Sequence, residues 1–380
     1  MAQEAGIHFI HEQWQTALAQ AKAQDKLIFV DAYTTWCGPC KWMAKHTFTD
    51  EEVGKFYNEH FINVKLDMEK GEGLEFAEKY DVQAYPTLLF LDKDGQVVHI
   101  GLGSRPPKEF IQLGQIALDP ERRVGELIRA YEQGTRDPDF LRKYALAALD
   151  AGLPQAAHVA IEYLNTQEDW LTEENASLIL QAIQATRYDQ LAQSPLFAFV
   201  KDHLDELSQY QDRTELENVL FYGVLFSFPR NKRPDDATLE KAVEAVLPGK
   251  GAFFVARNRL YDLMRVQGGK HDERFMQAAI DFMQQYADQA DWQLLNTVAW
   301  RFYELTDDTQ RLQLAHQWAS RSVSLDKNYF NMDTLAALYY KLGQKDEAVK
   351  CAREAITLAQ AHGIDYEGTQ ELLEKIESEQ

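Results

Sequence analysis

The feature that most constrains the fold of this chain is a buried-strand pattern that leads directly into a pair of cysteines. Residues 26–33, KLIFVDAY, form a nearly continuous apolar run, and residues 34–43 have the sequence TTWCGPCKWM. Apolar runs of this length are typical of strands that are covered on both faces. The cysteines therefore lie where a strand ends and where a helix, predicted over residues 39–46, begins.

Helical and strand periods alternate over the first 119 residues. The other segments with a helical period are 12–24, 49–61, 73–82 and 106–118. The other strand patterns are 62–68 and 87–103, the second being a hairpin with Asp94-Gly95 at its turn. This order predicts a mixed sheet with helices on both faces, and it places the cysteine pair at the edge where reactive groups collect in open α/β sheets.

Three chemistries are compatible with two cysteines at this spacing: a metal site, a structural staple, and a pair that exchanges electrons. The chain has three cysteines, the third being Cys351, and three are too few for a disulfide framework. A structural zinc site needs four Cys or His ligands, usually as two close pairs. Only one close pair is present, so we expect no metal site. Cys351 has an apolar helical position, and we expect it to be a small core residue.

Composition excludes two classes of partner. The formal net charge is −21, which argues against nucleic acid, because a binding protein needs a basic face to neutralise phosphates. The same charge disfavours an anionic membrane surface. No run of about 18 consecutive apolar residues occurs, so we expect no integral membrane segment.

The spacing of Cys37 and Cys40 favours redox chemistry. Residues at i and i+3 share one face of a helix. Cys37 should lie at the helix N-terminus, where free N–H groups and the helix dipole lower the thiol pKa from about 8.5 toward neutrality. Cys40 lies a turn deeper and should remain a thiol. The pair can then act in two steps: Cys37 attacks a partner disulfide, and Cys40 attacks the Cys37 sulfur and releases the reduced partner.

Residues 1–119 resemble a thioredoxin domain. The matching features are WCGPCK at 36–41, Asp31 six residues before Cys37, Lys65 in VKLD, and Pro86 in YPTLLF. Within that superfamily, residues 45–69 are most similar to the C-terminal domain of bacterial thiol:disulfide interchange proteins and to exported thioredoxin-like proteins. One position departs from the pattern, because Tyr33 stands where thioredoxins usually carry a second tryptophan.

The resemblance implies an α/β thioredoxin fold and a reductase of protein disulfides. It implies no cofactor beyond the Cys37–Cys40 disulfide. Asp31, if buried, would have a raised pKa and would take the Cys40 proton through water, while Lys65 would pair with Asp31. The alternatives are that Asp31 is an acid at the strand end exposed to water, and that Lys65 is a solvated strand residue without a catalytic role.

The resemblance also implies a substrate-binding rim. Gly38 and Pro39 would fix the loop between the cysteines, and a Gly-Pro insert goes with reducing character in this family. Pro86 would be cis and would present the Tyr85 backbone to a bound substrate strand. Trp36 would supply an apolar edge.

From Asp119-Pro120 onwards the period is helical, with breaks at 152–154, 249–251 and Gly268-Gly269. Residues 332–359 fit the tetratricopeptide pattern, in which small residues let two antiparallel helices approach closely. We therefore predict three regions: a thioredoxin-like domain at 1–119, an all-helical region at 120–290 with a tetratricopeptide-like hairpin at 137–165, and tetratricopeptide-like repeats at 291–380.

Two hypotheses for function follow. The first is a disulfide reductase with protein disulfide substrates and an upstream electron donor, whose helical domain recruits partners. Helical arrays expose a groove that suits peptides or proteins, although the domain could equally serve as packed support. The second is a non-catalytic tetratricopeptide adaptor in which the thioredoxin fold only binds protein.

The compartment stays open. The N-terminus, MAQEAGIHFIHEQW, lacks the basic start and apolar run of a signal peptide. A cytoplasmic protein fits this pattern, and so does a periplasmic protein whose signal was removed and whose mature chain starts near AQEA. The resemblance to interchange proteins favours the periplasm.

Overall fold

The computed structural model describes residues 6–229, 233–266, 270–362 and 364–379. The AQEA segment and the Gly268-Gly269 break lie outside the described residues. The chain divides into two compact units, Met1–Val219 and Leu220–Gln380. The boundaries that we place after residues 119 and 290 remain predictions.

A mixed sheet with flanking helices forms the first part of the chain, as predicted. Its elements in order are β1 (Ile10–His11), α1 (Trp14–Gln24), β2 (Leu27–Tyr33), α2 (Gly38–His46), α3 (Glu51–His60), β3 (Phe61–Asp67), α4 (Glu72–Lys79), β4 (Thr87–Leu91), β5 (Val97–Leu102) and α5 (Pro107–Leu118). The strand order is β1-β3-β2-β4-β5. Strands β1 and β2 run parallel to β3, and β4 runs antiparallel to both β2 and β5.

The two faces of β2 are buried in separate cores. Ile28 and Val30 belong to a core with residues of α1 and α4, whereas Phe29 belongs to a core with residues of α2, α3 and α5. Successive strand residues point to opposite faces, so Asp31 shares its face with Phe29. The fold therefore directs Asp31 to the side of the sheet that carries the cysteine helix.

Three helices that follow α5 belong to the same compact unit: α6 (Val124–Glu132), α7 (Pro138–Asp150) and α8 (Ala156–Leu164). Helix α6 packs against β5, the last strand in the sheet order. The Val124 N–H donates to Nδ1 of buried His99 at 3.3 Å. A Cβ atom added to Gly125 would lie 3.1 Å from the carbonyl oxygens of Val97 and Val98. The helical part thus begins in direct contact with the sheet.

The rest of the chain is helical, as predicted; no strand follows β5 in the part of the chain that the structure describes. The remaining helices are α9 (Glu173–Gln184), α10 (Tyr188–Leu191), α11 (Pro195–Asp202), α12 (Leu204–Leu207), α13 (Arg213–Ser227), α14 (Asp236–Glu244), α15 (Gly251–Met264), α16 (Lys270–Tyr286), α17 (Trp292–Leu305), α18 (Thr309–Leu325), α19 (Tyr329–Lys341), α20 (Lys345–His362) and α21 (Glu367–Ser378). Among the described residues, no helix combines the length and apolar character needed to cross a bilayer.

Within the second unit, consecutive helices pack in pairs. Helix α17 packs against α18, and α19 packs against α20. Ala336 on α19 faces inward, as do Ala348, Ala352 and Ala355 on α20, and all four are fully buried. Small side chains at such positions allow close approach of the two helix axes. Cys351 is also buried on α20, where burial raises the pKa of its thiol to about 11.

Candidate active site at the cysteine helix

Cys37 is the N-cap residue of α2. Its backbone is extended, with φ −69° and ψ 111°, and its Sγ accepts a hydrogen bond from the Cys40 N–H at 3.1 Å. Pro39 lies in the first turn, where a missing N–H has no cost because that donor lacks a partner within the helix. The Cys40 N–H is therefore directed toward the Cys37 sulfur, where it and the helix dipole would stabilise a thiolate.

The two cysteines form a disulfide, with an S–S distance of 2.01 Å and a Cα–Cα distance of 5.3 Å. The contrast in depth that the sequence predicts is not present in this oxidised form, since Cys37 is 3% exposed and Cys40 is 2% exposed. Trp36 beside them is 64% exposed. The residue that precedes the disulfide therefore presents a large apolar side chain to solvent.

Asp31 and Lys65 form a buried ion pair on neighbouring strands. The residues are register partners in β2 and β3, and Lys65 Nζ donates to Asp31 Oδ2 at 2.6 Å. Asp31 is 1% exposed, so the alternative of a solvent-exposed strand-end acid is wrong. Burial raises the pKa of Asp31, and the charge and hydrogen bond of Lys65 oppose this effect without cancelling it. Among the described residues, Asp31 Oδ1 has no hydrogen-bond partner.

The Tyr85–Pro86 peptide bond is cis. Pro86 is buried, and its carbonyl accepts a hydrogen bond from the Gly103 N–H at 3.0 Å. The Tyr85 ring lies edge-on to Trp36, with a centroid distance of 5.9 Å. Trp36 and Tyr85 thus form one aromatic surface.

Sequence analysis missed two acids at this site. Glu69 Oε1 accepts a hydrogen bond from Trp36 Nε1 at 2.9 Å. Glu12 Oε1 accepts a hydrogen bond from the Tyr33 hydroxyl at 3.3 Å. Burial, with the nearby charges of Glu12 and Asp67, raises the pKa of Tyr33 to about 12. The only available signal was the position of Tyr33, two residues after Asp31 and therefore on the same strand face.

Packing does not explain the glycine at position 38. A Cβ atom added there would meet no atom within 4 Å, so the surrounding structure does not require glycine at this position.

The described residues contain no cluster of three or more His, Cys, Asp or Glu side chains suited to a metal ion.

Comparison with known proteins identifies the family. A family model described as thioredoxin-like matches residues 10–93. The chain is 37% identical over 92 residues to thioredoxin of Bacillus subtilis, in an alignment that covers 24% of this chain and 82% of that protein. The chain belongs to the thioredoxin-like family. As a thioredoxin-like protein it is a thiol–disulfide oxidoreductase, and the predicted enzyme class is confirmed.

This thioredoxin-like protein is also similar to two other proteins. It is 32% identical over 88 residues to the thiol:disulfide interchange protein DsbD of Pseudoalteromonas atlantica, covering 23% of this chain and 15% of that protein. It also matches the solution structure of a proposed disulphide-isomerase from Bacteroides thetaiotaomicron. That match has 46% sequence identity and a TM-score of 0.29, and it covers 31% of this chain and 98% of the other.

Proposed function

We propose that this protein reduces disulfide bonds in other proteins through a mixed-disulfide intermediate. The observation that carries the proposal is the position of Cys37 as the N-cap of α2, bonded to Cys40 and above a sheet face that holds a buried acid. An upstream dithiol donor first supplies two electrons and two protons, which convert the Cys37–Cys40 disulfide to two thiols.

The exchange then proceeds in two steps. The Cys37 thiolate attacks one sulfur of the partner disulfide, forms a bond to it, and expels the other sulfur as a thiolate that takes up a proton. The Cys40 thiolate next attacks Cys37 Sγ, restores the Cys37–Cys40 bond, and expels the second partner sulfur as a thiolate. The partner gains two electrons, and the cysteine pair loses them.

Asp31 has the properties of the base for the second step. Cys40 must lose a proton before it can attack, and a carboxylate with a raised pKa holds a proton more readily near neutral pH than an exposed one does. Oδ1 is free of other hydrogen bonds among the described residues. We assign Lys65 to limiting the rise in the Asp31 pKa, because its charge favours the ionised acid.

Substrate would bind against the aromatic surface of Trp36 and Tyr85. The exposed Trp36 indole offers an apolar contact, and the Tyr85 ring lies edge-on to that indole. Gly38 and Pro39 would shape the loop between the sulfurs. The helical region, with tetratricopeptide-like pairs such as α19 and α20, would recruit protein partners.

The test follows reduction of insulin disulfides by the full chain, with dithiothreitol as the electron donor. We expect Cys37→Ser to reduce turnover to the background rate, and reduced Cys40→Ser, once freed of dithiothreitol, to accumulate a covalent adduct with insulin. Cys351→Ala is the matched control, since it removes a cysteine far along the chain, and it should keep the wild-type rate. Full turnover by Cys37→Ser would overturn the proposal, and a wild type without measurable turnover would favour the adaptor hypothesis.

A further inference from the structure

The ammonium group of Lys65 lies against aromatic rings. Its Nζ is 4.5 Å from the ring centroid of Tyr33, 5.1 Å from that of Phe48 and 5.8 Å from that of Phe9. A cation within about 6 Å of a ring face is attracted by the ring quadrupole, most strongly where water is excluded. The Lys65 side chain is 14% exposed, so these contacts act in a mostly dry environment.

The same ammonium group donates to Asp31 at 2.6 Å. Asp31 and Tyr33 are two residues apart on β2 and share a face, while Lys65 is the register partner of Asp31 on β3. Lys65 is therefore held between a carboxylate and a ring that come from the same strand.

The Tyr33 ring is itself fixed at its outer end. Its hydroxyl donates to Glu12 Oε1, and both carboxylate oxygens of Glu12 accept the Asp67 N–H, at 2.9 and 3.1 Å. The Glu12 N–H in turn donates to the Lys65 carbonyl at 3.0 Å. These bonds tie the hydroxyl to the ends of β1 and β3 and keep the ring next to Lys65.

We propose that Tyr33 is a positioning residue of the redox site, whose ring holds the Lys65 ammonium against Asp31 and so governs how tightly the buried acid keeps a proton. The inference rests on the function proposed above, because Asp31 matters to the reaction only as the base for Cys40. Lys65 has a flexible four-carbon stem. Without the ring it turns toward water, and Asp31 loses the cation that opposes the effect of its burial.

Several titratable groups face this cluster from the packed elements. They are Asp31 and Tyr33 on β2, Asp67 on β3, and His11 on β1 with Glu12 after it. All of them except Tyr33 stay unchanged in the variants that test the ring. A difference between the pH titrations of those variants is therefore caused by the loss of the ring and by the changed position of Lys65.

The experiment is a pH titration of the reduced full chain, in which thiolate formation is followed by ultraviolet absorbance. Cys351 does not interfere near neutral pH, because burial raises its pKa to about 11. The variants are Tyr33→Leu, which removes the ring, Tyr33→Phe, which keeps it, and Lys65→Met, which removes the cation. Tyr33→Leu is also made in the Lys65→Met background, and Tyr33→Met replaces Tyr33→Leu if the latter does not fold.

We expect Tyr33→Leu to move the active-site titration upward by about half a pH unit or more, in the same direction as Lys65→Met. Tyr33→Phe should titrate like the wild type, and Tyr33→Leu should add no shift once Lys65 is absent. The proposal is overturned if Tyr33→Leu titrates like the wild type, if Tyr33→Phe shifts equally, or if the shift persists in full without Lys65.

The proposed function is tested separately by wild-type turnover with insulin. A wild type that turns over while Tyr33→Leu shows no shift contradicts only the role of Tyr33. A wild type without turnover whose titration still responds to Tyr33→Leu contradicts only the proposed function.

Discussion

At the scale of single residues, two buried acids on adjacent strands have pKa values that are shifted in opposite directions. Burial raises the pKa of Asp31 despite Lys65. Burial acts in the same direction on Asp67, but the hydrogen bonds from Lys70 and from the Glu69 N–H outweigh it and lower the Asp67 pKa. Asp31 therefore holds its proton more tightly than an ordinary carboxyl group does, whereas Asp67 holds its proton less tightly.

This difference predicts the effect of Asp31→Asn on turnover. An amide cannot accept the Cys40 proton, so we expect insulin reduction to slow by about 10²-fold or more. In the wild type the rate should rise with pH as Asp31 ionises, because only the carboxylate accepts a proton, and the variant should lose this rise. Asp67→Asn is the matched control and should keep it. A pH–rate profile that is the same for Asp31→Asn and the wild type would contradict the role of Asp31.

The sequence predicts the residues of the site that belong to a local motif, and it misses those that depend on tertiary contacts. Cys37, Cys40 and Pro86 follow from the spacing and the resemblance. Glu12 does not, because its backbone has φ 54°, which non-glycine residues rarely adopt, and because its acceptor role toward the Asp67 N–H joins residues 55 apart in the sequence.

At the scale of elements, the decisive contact is that between α6 and β5. Gly125 is the second residue of α6, and two carbonyl oxygens of β5 lie close to it. Gly368 has the same position in α21, but a Cβ atom added there would meet no atom within 4 Å. The two glycines therefore form a matched pair that differs in packing.

We expect the same substitution to have different effects at these two positions. Gly368→Ala should be neutral or should stabilise by up to about 1 kcal/mol, since alanine favours a helix over glycine. Gly125→Ala should destabilise by about 1 kcal/mol, because the added methyl group forces α6 away from β5. Denaturant unfolding of both variants measures the difference. Equal free energies of unfolding would show that α6 does not press on the strand.

Periodicity predicts β2, β3 and the hairpin of β4 and β5, but it predicts neither the short strand β1 nor this packing. The helix predicted at 39–46 is α2, Gly38–His46, and the hairpin predicted at 87–103 is β4 and β5. A helical period shows that α6 has an apolar face, but the partner of that face is fixed by the tertiary structure. For this reason the sequence predicts a domain boundary after residue 119. In the structure, α6 lies beyond that boundary and still packs against β5 of the sheet.

At the scale of the whole molecule, the site lies within the unit Met1–Val219. All the residues that we assign to the reaction precede residue 104, and the helices that pack against β5 end with α7 at Asp150. A chain that stops before α13 therefore contains the whole of the proposed chemistry and the packing that supports it.

This organisation predicts the behaviour of two shortened chains. Residues 1–212 should reduce a small disulfide such as oxidised glutathione at nearly the full-length rate. Residues 1–119 lack α6, in which Val124 and Leu127 are buried, and should be less stable by about 3 kcal/mol. Turnover and denaturant unfolding measure the two effects. Equal stability of the two fragments would support the boundary at residue 119 instead.

The central claim is that α2 holds the Cys37 sulfur as a reactive anion. The most direct measurement is the rate at which iodoacetamide alkylates Cys37 in the reduced protein as a function of pH, with glutathione as the reference thiol. The account predicts a half-maximal rate near pH 7, well below the value of about 8.5 for an ordinary thiol. A Cys37 profile that coincides with that of glutathione would contradict it.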